Sequence, residues 1–168
     1  MELYLQDEIT PQQCANLLKA KQYIESQRSY SIKKVKPIVL WFYGPTGTGK
    51  TSTAVEIAEE DVGEDGYWKS CGGSLQWFNG YTGQKYAIID DFRRGMCTFE
   101  FLLQLLDKYN LQVPIKGGYV KWVPRIIIIT CPTTPRKAWQ WKDKDDELQD
   151  WDNIEQLLRR IDDQIEFK

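Results

Sequence analysis

Residues 38–51 read IVLWFYGPTGTGKT, an apolar run from Ile38 to Tyr43 that passes directly into Gly44-Pro45-Thr46-Gly47-Thr48-Gly49-Lys50-Thr51. The second half matches GxxxxGK[ST] at every fixed position, and its setting is a strand-like run before and a helix-like run after. Glycines let the backbone curl so that successive N–H groups face one concavity, where phosphate oxygens can sit. A helix opening near Gly49 adds the positive end of its dipole. Lys50 can reach the β- and γ-phosphates, and the Thr51 hydroxyl can ligate Mg²⁺. The predicted nucleotide-contacting set is therefore Gly44, Pro45, Thr46, Gly47, Thr48, Gly49, Lys50, Thr51 and Ser52. The ligand class is a nucleoside triphosphate with its metal.

The rest of the chain bounds what such a loop can serve. Its 168 residues suit one domain with a small appendage, and 42% apolar with 27% charged residues is ordinary for a soluble protein. The start, MELYLQDEIT, has neither a basic nor an apolar leader region, so a soluble intracellular protein is expected. A net charge of −2 gives no global pull toward nucleic acid, and any such contact must be local. The absence of histidine excludes His-based acid–base chemistry. The four cysteines are widely spaced without a CxxC pair, which favours reduced thiols over a zinc site. Seven tryptophans point to core or subunit interface.

Working outward from the loop, Thr10-Pro11-Gln12-Gln13 reads as a helix start, with Thr10 as N-cap and Gln13 closing a capping box. A helix to about Ser29 carries Cys14, Leu17, Leu18 and Ile24, and a basic linker follows to Pro37. Residues 1–37 are thus expected to be a helical segment apart from a core spanning 38–168. In that core Gly49 to Glu60 is a helix, and Tyr67 to Lys69 a short strand. Lys85 to Asp91 and Arg125 to Thr130 are further buried strands. Thr98 caps a helix to about Tyr109. Lys116-Gly117-Gly118 turns a hairpin between two apolar runs. Arg136 to Asp152 reads as charged and exposed, Asn153 to Arg160 as a helix, and Gln164 to Lys168 as a last strand.

Four further sites carry chemistry. Tyr86-Ala87-Ile88-Ile89-Asp90-Asp91 is a strand ending in two acids, where an NTPase holds Mg²⁺ and positions water. Asp90 is the metal candidate, beside Thr51, and Asp91 the water-polarising candidate. Thr130, with Cys131 as its alternative, could sense the γ-phosphate from the next strand's end. The hairpin offers Lys116, Gly117, Gly118 and Lys121 beside Trp122, and cations with rings suit single-stranded nucleic acid. An ordinary solvated hairpin is the competing reading. Arg159 and Arg160 end a helix, where they serve its dipole or act as an arginine finger in a neighbour's site.

These pieces resemble the superfamily 3 helicase domain of the replication initiator (Rep) proteins of circular single-stranded DNA viruses, circoviruses most of all. The matching stretches are GPTGTGKT, WFNGYTGQKYAIIDDF at Trp77 to Phe92, KGGYVKWVPRIIIIT at Lys116 to Thr130, and LLRRID at Leu157 to Asp162. The resemblance implies an α/β, AAA+-like P-loop ATPase with a parallel central sheet flanked by helices. It further implies a ring, commonly a hexamer, that hydrolyses ATP with Mg²⁺ and moves on single-stranded DNA in the 3′-to-5′ direction. It assigns Asp90 and Asp91 to metal and catalysis, Lys116 to DNA, and the finger to Arg159 or Arg160. The segment before Ile38 becomes the oligomerisation collar, and the host nucleus the expected location.

Two departures stand out. The family usually has Thr-Ser-Asn after the third strand, where this chain has Thr130-Cys131-Pro132, and Pro132 has no side-chain donor. The family's upstream nicking endonuclease uses a His pair, so a chain without histidine is expected to be the C-terminal part of a longer protein. Two rivals remain open from sequence: a small-molecule P-loop kinase, which would need an arginine-rich lid, and an ATP-gated DNA-binding or assembly module with little hydrolysis.

Overall fold

The computed structural model describes residues 11–28 and 36–168. Five strands form one all-parallel sheet: β1 (Ile38–Tyr43), β2 (Tyr67–Lys69), β3 (Tyr86–Ile89), β6 (Ile126–Cys131) and β9 (Asp163–Glu166), in the order β2-β3-β6-β1-β9. The central strands are apolar throughout because both faces are covered. Val39, Trp41, Ala87, Ile89, Ile127 and Ile129 point to one side, where they meet α3 (Phe99–Leu105) and α5 (Ile154–Arg160). Leu40, Phe42, Tyr86, Ile88, Ile126 and Ile128 point to the other, where they meet α1 (Pro11–Arg28) and α2 (Lys50–Val62). The expected α/β architecture with a parallel central sheet is what the chain adopts. Among the described residues no helix is long and apolar enough to cross a membrane.

The N-terminal helix does not stand apart from the core. Leu17, Ala20 and Ile24 of α1 are buried among the side chains of α2 and the sheet, while Leu18 is exposed. Burial of Leu17 and Ile24 contributes about 1.5–3 kcal/mol each. A Lys21–Glu60 ion pair ties α1 to α2. Thr10 lies outside the described residues, as does the linker over 29–35. The Gln13 side chain donates to the Thr48 carbonyl, across to the phosphate loop.

A separate two-stranded sheet is the expected hairpin, β4 (Gln112–Ile115) and β5 (Gly118–Lys121), turned by Lys116 and Gly117. Gly117, at φ 98°, takes the position that a type II turn reserves for a residue with positive φ. Two sequence expectations need correction. Helix α3 stops at Leu105 rather than near Tyr109, because Leu106 and Asp107 bond back in a tighter turn and the Asp107 carboxylate caps the Lys108 N–H. The segment 136–152 is not simply exposed. It holds α4 (Pro135–Trp139) and a hairpin, β7 (Trp141–Lys142) with β8 (Leu148–Gln149). Trp139 is fully buried against Phe92, Phe99 and Trp151. Arg136 bridges Asp150 and Glu155.

Candidate active site

In a parallel sheet all strand C-termini share one edge, and the loops leaving β1, β3 and β6 bring the predicted residues together there. The turn out of β1 is close. A Cβ on Gly44 would lie 2.1 Å from the Phe167 carbonyl oxygen, at φ +147°, so only glycine fits. Gly49 precedes α2 in the left-handed region with no side-chain cap, which leaves the first N–H groups of α2 facing outward. Pro45, Thr46, Gly47 and Ser52 are exposed, and Thr48 bonds back to the Pro45 carbonyl at 2.7 Å. Lys50 Nζ donates to the carbonyls of Gly44 at 2.6 Å and Pro45 at 2.8 Å. Burial lowers the Lys50 pKa from the ordinary lysine value; the nearby Asp91 works against that shift and Arg93 adds to it.

Across the sheet edge, Thr51 Oγ1 donates to Asp90 Oδ1 at 2.5 Å, joining the loop to the tip of β3 although 39 residues separate them. Three groups hold that tip. Thr130 Oγ1 donates to Asp90 Oδ1 at 3.0 Å and accepts the Asp91 N–H at 2.8 Å, while Ser70 Oγ accepts the Asp90 N–H at 2.8 Å. Lys69 Nζ lies 3.8 Å from Asp90 Oδ2. Asp91 sits at φ 51°, its carboxylate exposed and paired with Arg93 at 3.0 Å. Thr130 thus braces both acids, and its hydroxyl is engaged behind them. Cys131 is buried with its thiol 3.8 Å from the Thr133 hydroxyl, and burial pushes that thiol's pKa up.

A divalent metal fits this arrangement. Thr51 Oγ1 and Asp90 Oδ1 are hard oxygen donors already side by side, and Mg²⁺ takes one or two protein oxygens plus phosphate and water. Among the described residues no group of three or more His, Cys, Asp or Glu side chains is placed to hold a metal.

The two arginines separate. Arg160 is held within the chain: NH2 bonds Asp107 at 2.8 Å and NH1 donates to the Gln156 carbonyl at 2.7 Å. The Asp107 carboxylate is pushed up by burial but drawn lower overall by the Lys108 N–H and Arg160. Arg159 is exposed. Both lie far from their own Lys50, because α5 runs back to the start of β1, where the Asp162 N–H meets the Val39 carbonyl at 2.8 Å. From Val39 to Tyr43 is four residues of strand, about 13 Å.

At the hairpin, Lys116, Gly117, Gly118 and Lys121 are exposed. Trp122 is not beside them in solvent, as the sequence suggested. It is buried against Trp68, Phe78 and Tyr81, with Nε1 bonded to the Leu105 carbonyl at 2.9 Å. Tyr119, 71% exposed, is the hairpin's open ring. The run before β3 clasps the hairpin: the Phe78 N–H bonds the Pro114 carbonyl at 2.9 Å, and Asn79 Oδ1 accepts the Lys116 N–H at 2.8 Å. Sequence reading missed Lys69, Ser70, Asn79 and Arg93. Arg93 alone had a local signal, a cation two residues after Asp91.

A parallel sheet with a GxxxxGKT loop leaving its β1 strand, and acids two strands away bonded to the loop's threonine, defines a P-loop NTPase of the AAA+ kind. The yeast Hsp104–ADP complex has the same fold, with a TM-score of 0.57 over 99% of this chain and 28% of that one, at 16% identity. The RNA helicase family profile matches residues 40–132, more than half of the chain, and the chain belongs to that family of ATP-hydrolysing helicases. It is similar to the replication-associated protein of Porcine circovirus 2, at 40% identity over 92 residues, 55% of this chain and 27% of that protein. The same protein of human associated cyclovirus 1 is 31% identical over 128 residues, 75% of this chain and 44% of that one. For canary circovirus the figures are 35% over 109 residues, 65% and 34%. The chain therefore spans less than half the length of these relatives.

Proposed function

We propose that the chain is the motor of a viral replication initiator: a ring, hexameric by resemblance, that hydrolyses ATP between subunits and pulls single-stranded DNA in the 3′-to-5′ direction. The observation that carries this is the 2.5 Å bond from Thr51 to Asp90, which joins phosphate loop and acids in one site, with the clasped basic hairpin on the same chain. Loop N–H groups hold the phosphates, and Lys50 leaves the Gly44 and Pro45 carbonyls for the β- and γ-oxygens. Thr51 and Asp90 would hold Mg²⁺, whose charge offsets that of the phosphates. Asp91 takes a proton from the attacking water; the new O–P bond forms as the bond from Pγ to the bridging oxygen breaks, and ADP leaves with that electron pair. Thr130 positions both acids. Arg159, exposed at the far edge, is the finger offered to the next subunit, and Arg160 is its anchor.

Lys116 at the turn and Lys121 meet phosphate, and Tyr119 offers a face for a base. The helix of residues 11–28 belongs to the oligomerisation segment, a nicking endonuclease is its upstream partner in the full protein, and the host nucleus is its place of work. The test is turnover with and without oligothymidine in the wild type and in Lys50→Ala. DNA-stimulated hydrolysis that Lys50→Ala abolishes supports the reading; nucleotide binding indifferent to Lys50 overturns it. An equal response to single-stranded RNA removes the choice of DNA.

A further inference from the structure

The C-terminal end of β6 is short of donors. The Thr130 hydroxyl is engaged by Asp90 and Asp91, the Cys131 thiol faces Thr133, and Pro132 has neither an N–H nor a polar side chain. A site that cleaves ATP and releases ADP still needs a group that responds to the γ-phosphate. Arg93 stands where that group is wanted. It follows β3 in extended conformation, at φ −133° and ψ 146°, just before a short 3₁₀ turn over Arg94–Met96. Its NH1 lies 3.0 Å from Asp91 Oδ1 and donates to the Phe92 carbonyl at 3.3 Å. Both partners are open to solvent, with Arg93 53% and Asp91 68% exposed, so no packing fixes the pair and exchange of one anion for another is cheap. Arg93 also lines a cavity of about 500 Å³ with Lys69, Ser70, Asp90 and Asp91. Its charge is felt on both sides: burial dominates both shifts, lowering the Lys50 pKa and raising that of Cys131, and Arg93 adds to the first and opposes the second. The guanidinium is thus paired with the acid whose N–H meets Thr130 near the end of β6.

We propose that Arg93 is this chain's own γ-phosphate sensor, in the place where Pro132 offers nothing: its guanidinium exchanges the Asp91 carboxylate for γ-phosphate oxygens, and Asp91 is thereby released to accept the proton of the attacking water. A guanidinium suits the task because it meets two oxygens at once and keeps its charge at every working pH. The exchange makes hydrolysis competence conditional on a triphosphate, since ADP leaves Asp91 paired. The inference rests on reading Lys50, Asp90 and Asp91 as the hydrolysis site.

The experiment compares wild type, Arg93→Ala, Arg93→Lys and Asp91→Asn for affinity toward a non-hydrolysable ATP analogue and ADP, turnover, and thermal midpoint. Arg93→Ala is expected to bind ADP as wild type does, yet lose about 10- to 100-fold of its preference for the triphosphate, the loss of one charge-assisted contact. Its turnover should fall by about 10²- to 10³-fold, as when a donor to the reacting group is removed, with the thermal midpoint unchanged. Arg93→Lys should recover part of the triphosphate preference. A variant that keeps both the preference and turnover overturns the inference, as does one that weakens ADP and triphosphate equally. Asp91→Asn separates the two readings. If it abolishes turnover while Arg93→Ala is normal, only the sensor falls; if neither variant affects turnover, the site itself was misread.

Discussion

Replacing Arg160 and Arg159 one at a time separates an anchor from a finger. Arg160 makes two bonds, to Asp107 at 2.8 Å and to the Gln156 carbonyl at 2.7 Å, with Arg160 and Asp107 only 22% and 24% exposed. Loss of hydrogen bonds to a charged group costs about 1.5–3 kcal/mol. Asp107 keeps some contact with water, so its abandoned charge is partly rehydrated and about 2 kcal/mol is the expected cost for Arg160→Ala. For a domain of this size that is a fall in thermal midpoint of about 4–8 °C. Arg159 is exposed, and its loss should stay within about 0.5 kcal/mol. Its effect is on turnover, where an arginine finger contributes about 10³-fold or more. Scanning calorimetry and a coupled ATPase assay read the two effects. On the proposed account the finger acts in trans, so mixing Arg159→Ala with Lys50→Ala subunits should restore activity that neither has alone: some interfaces then pair an intact Lys50 with an intact Arg159. If Arg160→Ala melts normally but fails to hydrolyse ATP, the two roles are the other way round. No recovery on mixing would refute a site shared between subunits.

Gly44→Ala places a Cβ 2.1 Å from the Phe167 carbonyl at a φ that side chains avoid, and should destabilise the domain by about 1–3 kcal/mol in denaturant titration; an unchanged midpoint contradicts the close turn. Lys116→Ala should weaken oligothymidine binding, remove its stimulation of ATPase and lower the slope of log affinity against log salt by about one unit; an unchanged slope means that the hairpin lysine meets no phosphate. Lys50, with its pKa held below the ordinary 10.5, loses its proton earlier than a free lysine on raising pH. The nucleotide-bound form needs that proton, so the free form binds fewer protons and ATP affinity falls as pH rises, starting below the ordinary lysine value. A nucleotide affinity that is flat until that value would count against Lys50 as a buried phosphate ligand.

Much of the fold could be read because β1, β3 and β6 are covered on both faces, so each is spelled as a continuous apolar run, and the loop after β1 is spelled by phosphate chemistry. The acids could be read for the same reason, as polar residues ending an apolar strand. Trp122 misled because a ring beside lysines looks like a stacking platform, whereas alternation along the strand turns Lys121 outward and Trp122 into the core. Residues 136–152 misled because charge dominates the composition, while Trp139 and Trp151 anchor the segment to the core. Lys69 and Ser70 were silent because the sheet order, not sequence distance, lays the end of β2 beside the acids. Nothing local announces that neighbour relation. Pro132 is legible in the sequence, whereas the Arg93–Asp91 pair on which the proposal rests is seen only in the structure.

The most direct measurement is ATP turnover across protein concentration, with and without a single-stranded oligothymidine. A motor whose site is shared between subunits predicts turnover per chain that rises steeply as rings assemble, rises further with DNA, and vanishes in Lys50→Ala. Turnover per chain that is constant with concentration and indifferent to DNA would contradict the account.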